Sequence, residues 1–362
     1  MYRHLEVRGG AVTSGVRVMS AGVADRPTAA ARPPVRRVVP GLLVAVAVAA
    51  VATALGAVVP LVGGPVFGIA LGAAAGSLVP RLRGPVWTDG FGFAGRVVLP
   101  LSIVVLGTGL PLGEVARVGV GSLPVMLGTL AVALGGGLML GRLLGVGGDT
   151  RTLIAVGTGI CGASAIAAAG SVLRPRQADT AYAVGTIVTF NVAAVLLFPP
   201  LGHLLHLDAQ AFGLWAGTAV NDTSSVVAAG YAYGAEAGRH AVVVKLARSL
   251  MIIPVVLGLA ALVARRGGAH GPVPWHRVVP PFLVGFLAAA TLRSAGLVPD
   301  PWLPALGATG AFLVTTALAG TGLALRPADL RAAGVRPLLL GGLLWVAVAA
   351  SSLGLQALTG AL

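Results

Sequence analysis

Two short polar stretches interrupt apolar segments of this sequence, and they hold residue types that could bind a solute. The first is Gly157-Thr158-Gly159-Ile160-Cys161-Gly162-Ala163-Ser164. The second is Thr218-Ala219-Val220-Asn221-Asp222-Thr223-Ser224-Ser225. Gly lowers helix stability by about 1 kcal/mol relative to Ala, and Ser, Thr, Asn and Asp favour caps and turns. Each stretch therefore predicts a break in a helix.

A helix that breaks inside a membrane can bind an anion. Irregular backbone is tolerated at that depth only where it is buried in protein or lines a cavity. The freed N–H groups and the positive end of a helix then attract negative charge. We predict that substrate is bound by Thr158, Cys161, Gly162, Ser164, Asn221, Thr223, Ser224 and Ser225. The alternative for the first stretch is close helix packing through its small residues.

Three ionisable residues are predicted to couple charge to substrate binding. Asp222 lies in the second stretch, and Lys245 and Arg248 are three residues apart, on one helix face. Lys245 is the only lysine in the chain, and a buried lysine can lose its proton whereas an arginine practically cannot. We expect Asp222 to pair with Lys245 while Arg248 keeps the site positive. The alternative is that both basic side chains extend to the membrane interface.

The composition is that of an integral membrane protein. Apolar residues make up 56% of the 362 residues and charged residues 10%, against about 25% charged in soluble proteins. A single cysteine, Cys161, excludes an intramolecular disulfide. No Cys/His cluster has the spacing of a zinc site, so we predict neither metal nor cofactor. The basic residues lie between apolar segments and not in a patch with aromatic residues, so nucleic acid is not an expected partner.

Apolar runs of about 20 residues, the length that crosses a ~30 Å hydrocarbon core, recur along the chain. They predict an all-α membrane protein of about eleven transmembrane helices. Residues 1–37 are predicted to be a disordered cytoplasmic tail, and residues 38–362 the transmembrane transporter domain. The predicted spans are 40–59, 63–80, 97–112, 119–141, 152–173, 180–201, 211–232, 240–264, 278–296, 303–324 and 337–360.

The arginines predict an orientation in the membrane. Cytoplasmic loops are rich in Lys and Arg. With the N-terminus inside, eleven crossings place 18 arginines in cytoplasmic segments and five outside. The outer five are Arg117, Arg174, Arg176, Arg239 and Arg293. The count predicts a multi-pass protein of a bacterial inner membrane, with its N-terminus in the cytoplasm and its C-terminus outside.

Two pairs of similar segments within the chain predict internal repeats. Residues 107–128 match 320–341 at an offset of 213, in segments that would cross the membrane in opposite directions, as inverted repeats do. Residues 157–170 match 217–230 at an offset of 60, in segments that would cross in the same direction. The two offsets disagree. Either the second half is permuted or one segment is re-entrant, and the sequence leaves both open.

Three motifs give the chain a family resemblance: residues 159–168, 213–230 and 244–254. The chain resembles the bacterial membrane proteins classed as sulfate exporters (YeiH-like), from about residue 60 to its end. This family is in turn distantly similar to bile-acid-type transporters, which have two crossing broken helices. The resemblance implies transport of sulfate or another sulfur-containing oxyanion. Family members often have His where Asn221 stands, and asparagine cannot titrate, so a coupling role for that position is not expected here.

These observations favour a secondary transporter of a small anionic solute over the other classes. No Walker motif is present, so ATP is not the expected energy source, and coupling to H⁺ or Na⁺ is expected instead. The alternatives are an intramembrane enzyme, which would change its solute chemically, and an anion channel, whose flux would not saturate. We expect no enzymatic activity. Membrane lipid is an expected partner, and a homo-oligomer is compatible with the sequence.

Overall fold

The structure is a computed structural model that describes residues 35–59, 63–265, 281–325 and 334–361. Across these ranges the chain is helical and contains no strand, which agrees with the predicted all-α class. Most of the predicted tail lies outside the described residues. Its last three residues, from Val35 to Arg37, belong to the first helix, because the apolar run that drives the helix begins at Val38.

Sixteen α-helices follow one another along the described ranges. The first eight are α1 Val35–Val58, α2 Gly63–Leu78, α3 Pro85–Phe93, α4 Leu99–Gly107, α5 Leu112–Gly121, α6 Leu123–Leu143, α7 Gly148–Gly159 and α8 Ala163–Leu173. The others are α9 Gln177–Leu204, α10 Ala209–Ala219, α11 Thr223–Tyr233, α12 Ala235–Ser249, α13 Ile252–Arg265, α14 Pro281–Ser294, α15 Leu303–Ala324 and α16 Val335–Thr359. A π-helical turn, Ala94–Val98, joins α3 to α4.

Seven helical stretches of the described chain are long and apolar enough to cross a membrane. They are Arg36–Val58, Pro85–Gly107, Leu123–Leu143, Gln177–Leu204, Ala235–Arg265, Asp300–Ala324 and Val335–Thr359. Helices α2, α8 and α14 are apolar but shorter. Each of the eleven predicted segments overlaps a helix, but eleven crossings are not confirmed. Segments 152–173 and 211–232 break into short helices that fold back on themselves, because their polar centres end one helix and start another.

The first hairpin consists of α7, a tip at residues 160–162, and α8. Gly157 on α7 faces Ile166 on α8 so closely that a Cβ at Gly157 would lie 3.0 Å from the Ile166 side chain. Nine residues of straight helix would separate these positions by about 13 Å, so the chain reverses between them. At the open end, the Thr150 hydroxyl donates to the Asp179 carboxylate over 2.7 Å, and Arg176 binds the same carboxylate. The start of α7 thus lies beside the end of α8.

The second hairpin consists of α10, a tip at residues 220–222, and α11. Its open end is closed by Tyr233, whose hydroxyl donates to the carbonyl of Leu207. The Tyr233 ring also stacks on Phe212 with the ring centroids 3.8 Å apart. The end of α11 therefore lies beside the start of α10. The two hairpins have the same plan, helix, three-residue tip and helix, with equivalent residues 60 positions apart.

The two hairpins enter the protein from opposite ends of α9. Three residues separate α8 from α9, and four separate α9 from α10. Helix α9 has 28 residues and is about 42 Å long, enough to cross the hydrocarbon core. The hairpins therefore extend inward from opposite membrane faces, and the prediction that segments 152–173 and 211–232 run in the same direction is wrong. Their tips meet between the faces, because a Cβ at Gly162 would lie 3.6 Å from the Cα of Asp222.

The remaining helices surround this pair of hairpins. Helix α12 packs along both arms of the second hairpin, and α13 packs against α8 of the first. Helices α6, α9 and α16 complete this group, while α1, α3 and α4 gather around the closely packed pair α2 and α15, and α14 packs against α4. The similar segments 107–128 and 320–341 cannot be compared in full, because part of the second lies outside the described residues. An inverted repeat over the whole chain therefore stays a prediction.

The hairpins predict a labelling pattern for single-cysteine variants in a Cys161→Ser background. Cysteines at Gly147 and Arg174, on either side of the first hairpin, should react with a membrane-impermeant maleimide from the same membrane face, because the hairpin returns to the side it entered. A cysteine at Leu205 should react from the opposite face, because α9 crosses the membrane. Opposite accessibility of positions 147 and 174 would show that the segment between them spans the membrane.

Candidate functional site

The tip of the first hairpin is built around Gly162. Helix α7 ends where the N–H of Gly162 donates to the carbonyl of Gly157 over 2.9 Å. Gly162 has φ of 69°, in the left-handed region that glycine enters without a steric cost. This residue turns the chain into α8, which begins without a hydrogen bond from a capping side chain. Thr158 and Cys161 are buried just before the turn.

The tip of the second hairpin is capped by its own carboxylate. Asp222 is the N-cap of α11 and accepts hydrogen bonds from the N–H of Ser224, at 2.9 Å, and from the Ser224 hydroxyl. The N–H of Asp222 in turn donates to the side-chain oxygen of Asn191 on α9, at 3.1 Å. An N-cap carboxylate offsets the positive end of a helix. The starts of α8 and α11 therefore differ in charge, although the hairpins share one plan.

Lys245 and Arg248 join the two tips. The Lys245 ammonium donates to the carbonyl of Ile160 over 2.7 Å and to that of Val220 over 2.9 Å. The Arg248 guanidinium donates to Gly159 at 2.8 Å and to Thr158 at 3.1 Å, and it also donates to Thr218. Both side chains are fully buried. The last carbonyls of a helix lack partners inside the helix and carry its negative end, so each cation satisfies carbonyls from both hairpins.

The sequence predicts that Asp222 and Lys245 lie near one another and form a pair. They are close enough in the structure to interact electrostatically, but they form no direct ion pair. Among the residues that the structure describes, Lys245 lies within 4.0 Å of no carboxylate. Its ammonium is bound by carbonyls of both tips, and the Asp222 carboxylate is bound by the first turn of α11. The alternative, in which both basic side chains reach the membrane interface, fails as well, because both are buried against the tips.

The structure brings the predicted binding residues together at the two tips. Their side chains differ in how far they are exposed. Ser164, on the first turn of α8, is exposed, Thr223 and Ser224 are partly exposed, and Ser225 is buried. Two of the predicted side chains are buried with an oxygen that has no hydrogen-bond partner: the Thr158 hydroxyl and the Asn221 amide oxygen. Buried polar atoms without a partner are uncommon. These two therefore mark the tips as a place where a ligand could bind.

Asn191 belongs to this site, although a single asparagine in an apolar segment was a weak signal for a functional residue. Its carboxamide sits one helix away from the second tip and holds the backbone of Asp222. A signal for it exists in the composition, because Asn191 and Asn221 are the only two asparagines in the chain. Both lie at the same place in the fold.

The ionisable side chains around the tips carry more positive than negative charge. In the described part of the chain, no group of three His, Cys, Asp or Glu side chains could hold a metal ion. The residues around the tips instead provide two cations, Lys245 and Arg248, and one carboxylate, Asp222. The formal charge of this set is positive by one unit.

Comparison with known proteins places this architecture in a family. A family model described as conserved hypothetical protein 698 matches residues 40–341. The chain belongs to this family. A UPF0324 membrane protein of Streptococcus pyogenes serotype M18 is 37% identical over 332 residues, which cover 88% of this chain and 97% of the relative. A UPF0324 membrane protein of Fusobacterium nucleatum is 34% identical over 340 residues, covering 88% and 98%. No solved structure matches the chain.

Membership in the conserved hypothetical protein 698 family agrees with a multi-pass membrane protein, since these relatives are named as membrane proteins. The matched residues run from within α1 into α16 and include both hairpins and α12. The names refer neither to sulfate export nor to bile-acid-type transporters. The comparisons thus support membership in this family of membrane proteins, and they give no support to the resemblance to sulfate exporters or to bile-acid-type transporters.

The carbonyl contacts predict how much the two cations stabilise the fold. Arg248→Met should lower the melting temperature in detergent most, and Lys245→Met somewhat less, because they leave three and two carbonyls without a donor. A buried unsatisfied carbonyl costs about 1–3 kcal/mol, so drops on the order of 5–10 °C are expected. Arg239→Met, at the start of the same helix, is the control. Equal melting temperatures for all three variants would contradict a tip-joining role.

Proposed function

We propose that the protein is a secondary transporter that binds a small anion between the tips of its two hairpins. The observation that carries the proposal is the meeting of two opposed re-entrant hairpins around fully buried cations. Half-helices that end near the middle of a membrane are the usual way in which transporters build a solute site. The proposal explains why the chain keeps polar backbone and ionisable side chains at that depth, where they are expensive.

The charge at the tips favours an anion over a cation as the solute. Lys245 and Arg248 carry two positive charges, and Asp222 carries the one carboxylate in the set. An uncompensated charge in a low-dielectric interior costs several kcal/mol. A bound anion would offset the excess positive charge, whereas a bound cation would increase it. The charge therefore supports an anionic solute, such as sulfate or another sulfur-containing oxyanion, which the resemblance to YeiH-like exporters makes the first to test.

The start of α8 is the part of the site that would hold the anion. Its first amides, those of Ala163 and Ser164, point along a helix axis whose positive end has no capping side chain. Both residues are exposed, as is Ala167 one turn further along α8. The Ser164 hydroxyl is available as a further donor. On the facing tip, the buried Asn221 carboxamide offers a donor group from the second hairpin.

The opposed hairpins suggest how access could alternate between the two faces. Each hairpin fills only half of the membrane thickness, so it is the barrier between the tips and one face. The second hairpin packs through Val227 and Ala228 against an apolar cluster that includes Val66 and Leu318. The first hairpin packs in a separate apolar cluster, with α9, α13 and α16. Opening one cluster at a time would expose the tips to one face at a time.

The hairpins also strengthen the proposed orientation. When the first hairpin returns to the side that it entered, Arg174 and Arg176 move from the outer set to the cytoplasmic set. The distribution becomes 20 arginines inside against three outside, with Arg248 left at the tips. This bias is stronger than that for eleven crossings and supports a cytoplasmic N-terminus in a bacterial inner membrane.

Flux measurements on the purified protein test the proposal. Proteoliposomes loaded with unlabelled sulfate should take up labelled sulfate, with a rate that saturates and falls when sulfite, thiosulfate or another small anion competes. The solute should be recovered chemically unchanged. A flux that does not saturate would indicate a channel. A chemically altered solute would indicate an enzyme, and no flux for any anion of the panel would contradict the proposal.

The position of the Asp222 carboxylate beside the site leads to a second prediction, on the KM for the anion and on coupling to protons. Asp222→Asn should lower the KM for the anion by about tenfold, which corresponds to ~1.4 kcal/mol, because it removes the negative charge beside the site while asparagine can still cap α11. The dependence of uptake on an imposed proton gradient should be lost. Asp208→Asn is the matched control, because Asp208 caps α10 in the same way outside the site. Identical KM values for the two variants would contradict a role of Asp222 in coupling.

A further inference from the structure

The Lys245 ammonium occupies a position that has the chemistry of a cation site. Its two acceptors, the carbonyls of Ile160 and Val220, come from different hairpins, and each lies at the negative end of a half-helix. Carbonyls at the ends of broken helices are the groups with which many transporters bind a free coupling cation. In this chain the position is already filled by a side chain that is fully buried.

We propose that Lys245 is a tethered cation in a monovalent-cation site, and that truncating its side chain uncovers this site for a free alkylammonium ion. The inference goes beyond the proposed transport function, because it concerns how the tips are held together and can be tested without any substrate. It implies that the tips of the unmodified protein need no Na⁺ at this position.

The geometry specifies which free ion should fit. The N···O distances of 2.7 and 2.9 Å are those of hydrogen bonds from an ammonium group. A Lys245→Ala variant lacks three methylene carbons and the ammonium, which together have the size of propylammonium. The stem of Lys245 is fully buried, so the cavity left by its removal would be enclosed by protein and have the carbonyl oxygens of Ile160 and Val220 at its end. Propylammonium should therefore bind better than methylammonium, and methylammonium better than Na⁺.

Arg248 keeps the variant foldable. Its guanidinium binds carbonyls in the last turn of each helix before the tips, those of Thr158, Gly159 and Thr218. None of these is an acceptor of Lys245. The two half-helices should thus remain joined in Lys245→Ala, with the carbonyls of Ile160 and Val220 left open. The methionine variant Lys245→Met fills the same space with an apolar side chain and serves as the control without a cavity.

The test is the melting temperature of the full-length chain in detergent, measured at increasing concentrations of the chlorides of propylammonium, methylammonium, tetramethylammonium and sodium at constant ionic strength. Lys245→Ala should melt several degrees higher in propylammonium, in a saturable manner, as expected for a ligand that binds only the folded state. The unmodified chain and Lys245→Met should not respond. The tetramethylammonium ion has no N–H group and should have no effect on any variant.

Two results would overturn the inference. One is an equal response of all three proteins to propylammonium, which would mean that the salt acts elsewhere. The other is a Lys245→Ala protein that responds to none of the ions. If this variant cannot be purified in a folded form, the yield of monodisperse protein from cells grown with propylamine is measured instead, and a yield that does not rise also contradicts the site. Anion flux enters none of these measurements, so a failure here is separate from a failure of the transport proposal.

Discussion

The structure depends on the need to satisfy backbone carbonyls where two helices end inside a membrane protein. Water is absent from the bilayer core, so a helix that stops there needs partners for its last carbonyl groups. Lys245 and Arg248 supply them from a single face of α12, with five hydrogen bonds to carbonyls of two hairpins. The same contacts compensate the burial of two positive charges, because the negative ends of α7 and α10 point at them.

This interaction constrains the packing around it. Helix α12 must approach the second hairpin closely if side chains three residues apart are to reach both tips. The contact between α10 and α12 meets this need, because a Cβ at Gly217 would lie only 2.7 Å from the Cβ of Val244. Carbon atoms pack favourably at about 3.5–4.0 Å, so a larger residue at this position would push the helices apart. The small residues of the hairpins thus allow close helix packing, and this packing brings Lys245 and Arg248 within reach of both tips.

The two hairpins share a plan but differ at the one point where charge matters. The start of α11 is neutralised by Asp222, which is also held through its N–H by Asn191. The start of α8 has no such cap, and its first two residues, Ala163 and Ser164, are exposed. A pair of equal hairpins would present two equivalent positive helix ends. The difference leaves one helix end without a cap and gives the other a carboxylate, and the proposed transport function rests on this asymmetry.

The sequence by itself determined that this chain is an all-helical membrane protein, and it located both helix breaks, because apolar runs and clusters of Gly, Ser, Thr and Asp are local properties. The buried cations were also visible, as the only lysine and an arginine three residues later. Only the tertiary structure decided that both broken segments are re-entrant, since each segment is long enough to cross a membrane. It also decided that Lys245 binds carbonyls and not Asp222, because backbone acceptors leave no trace in the residue types of a sequence.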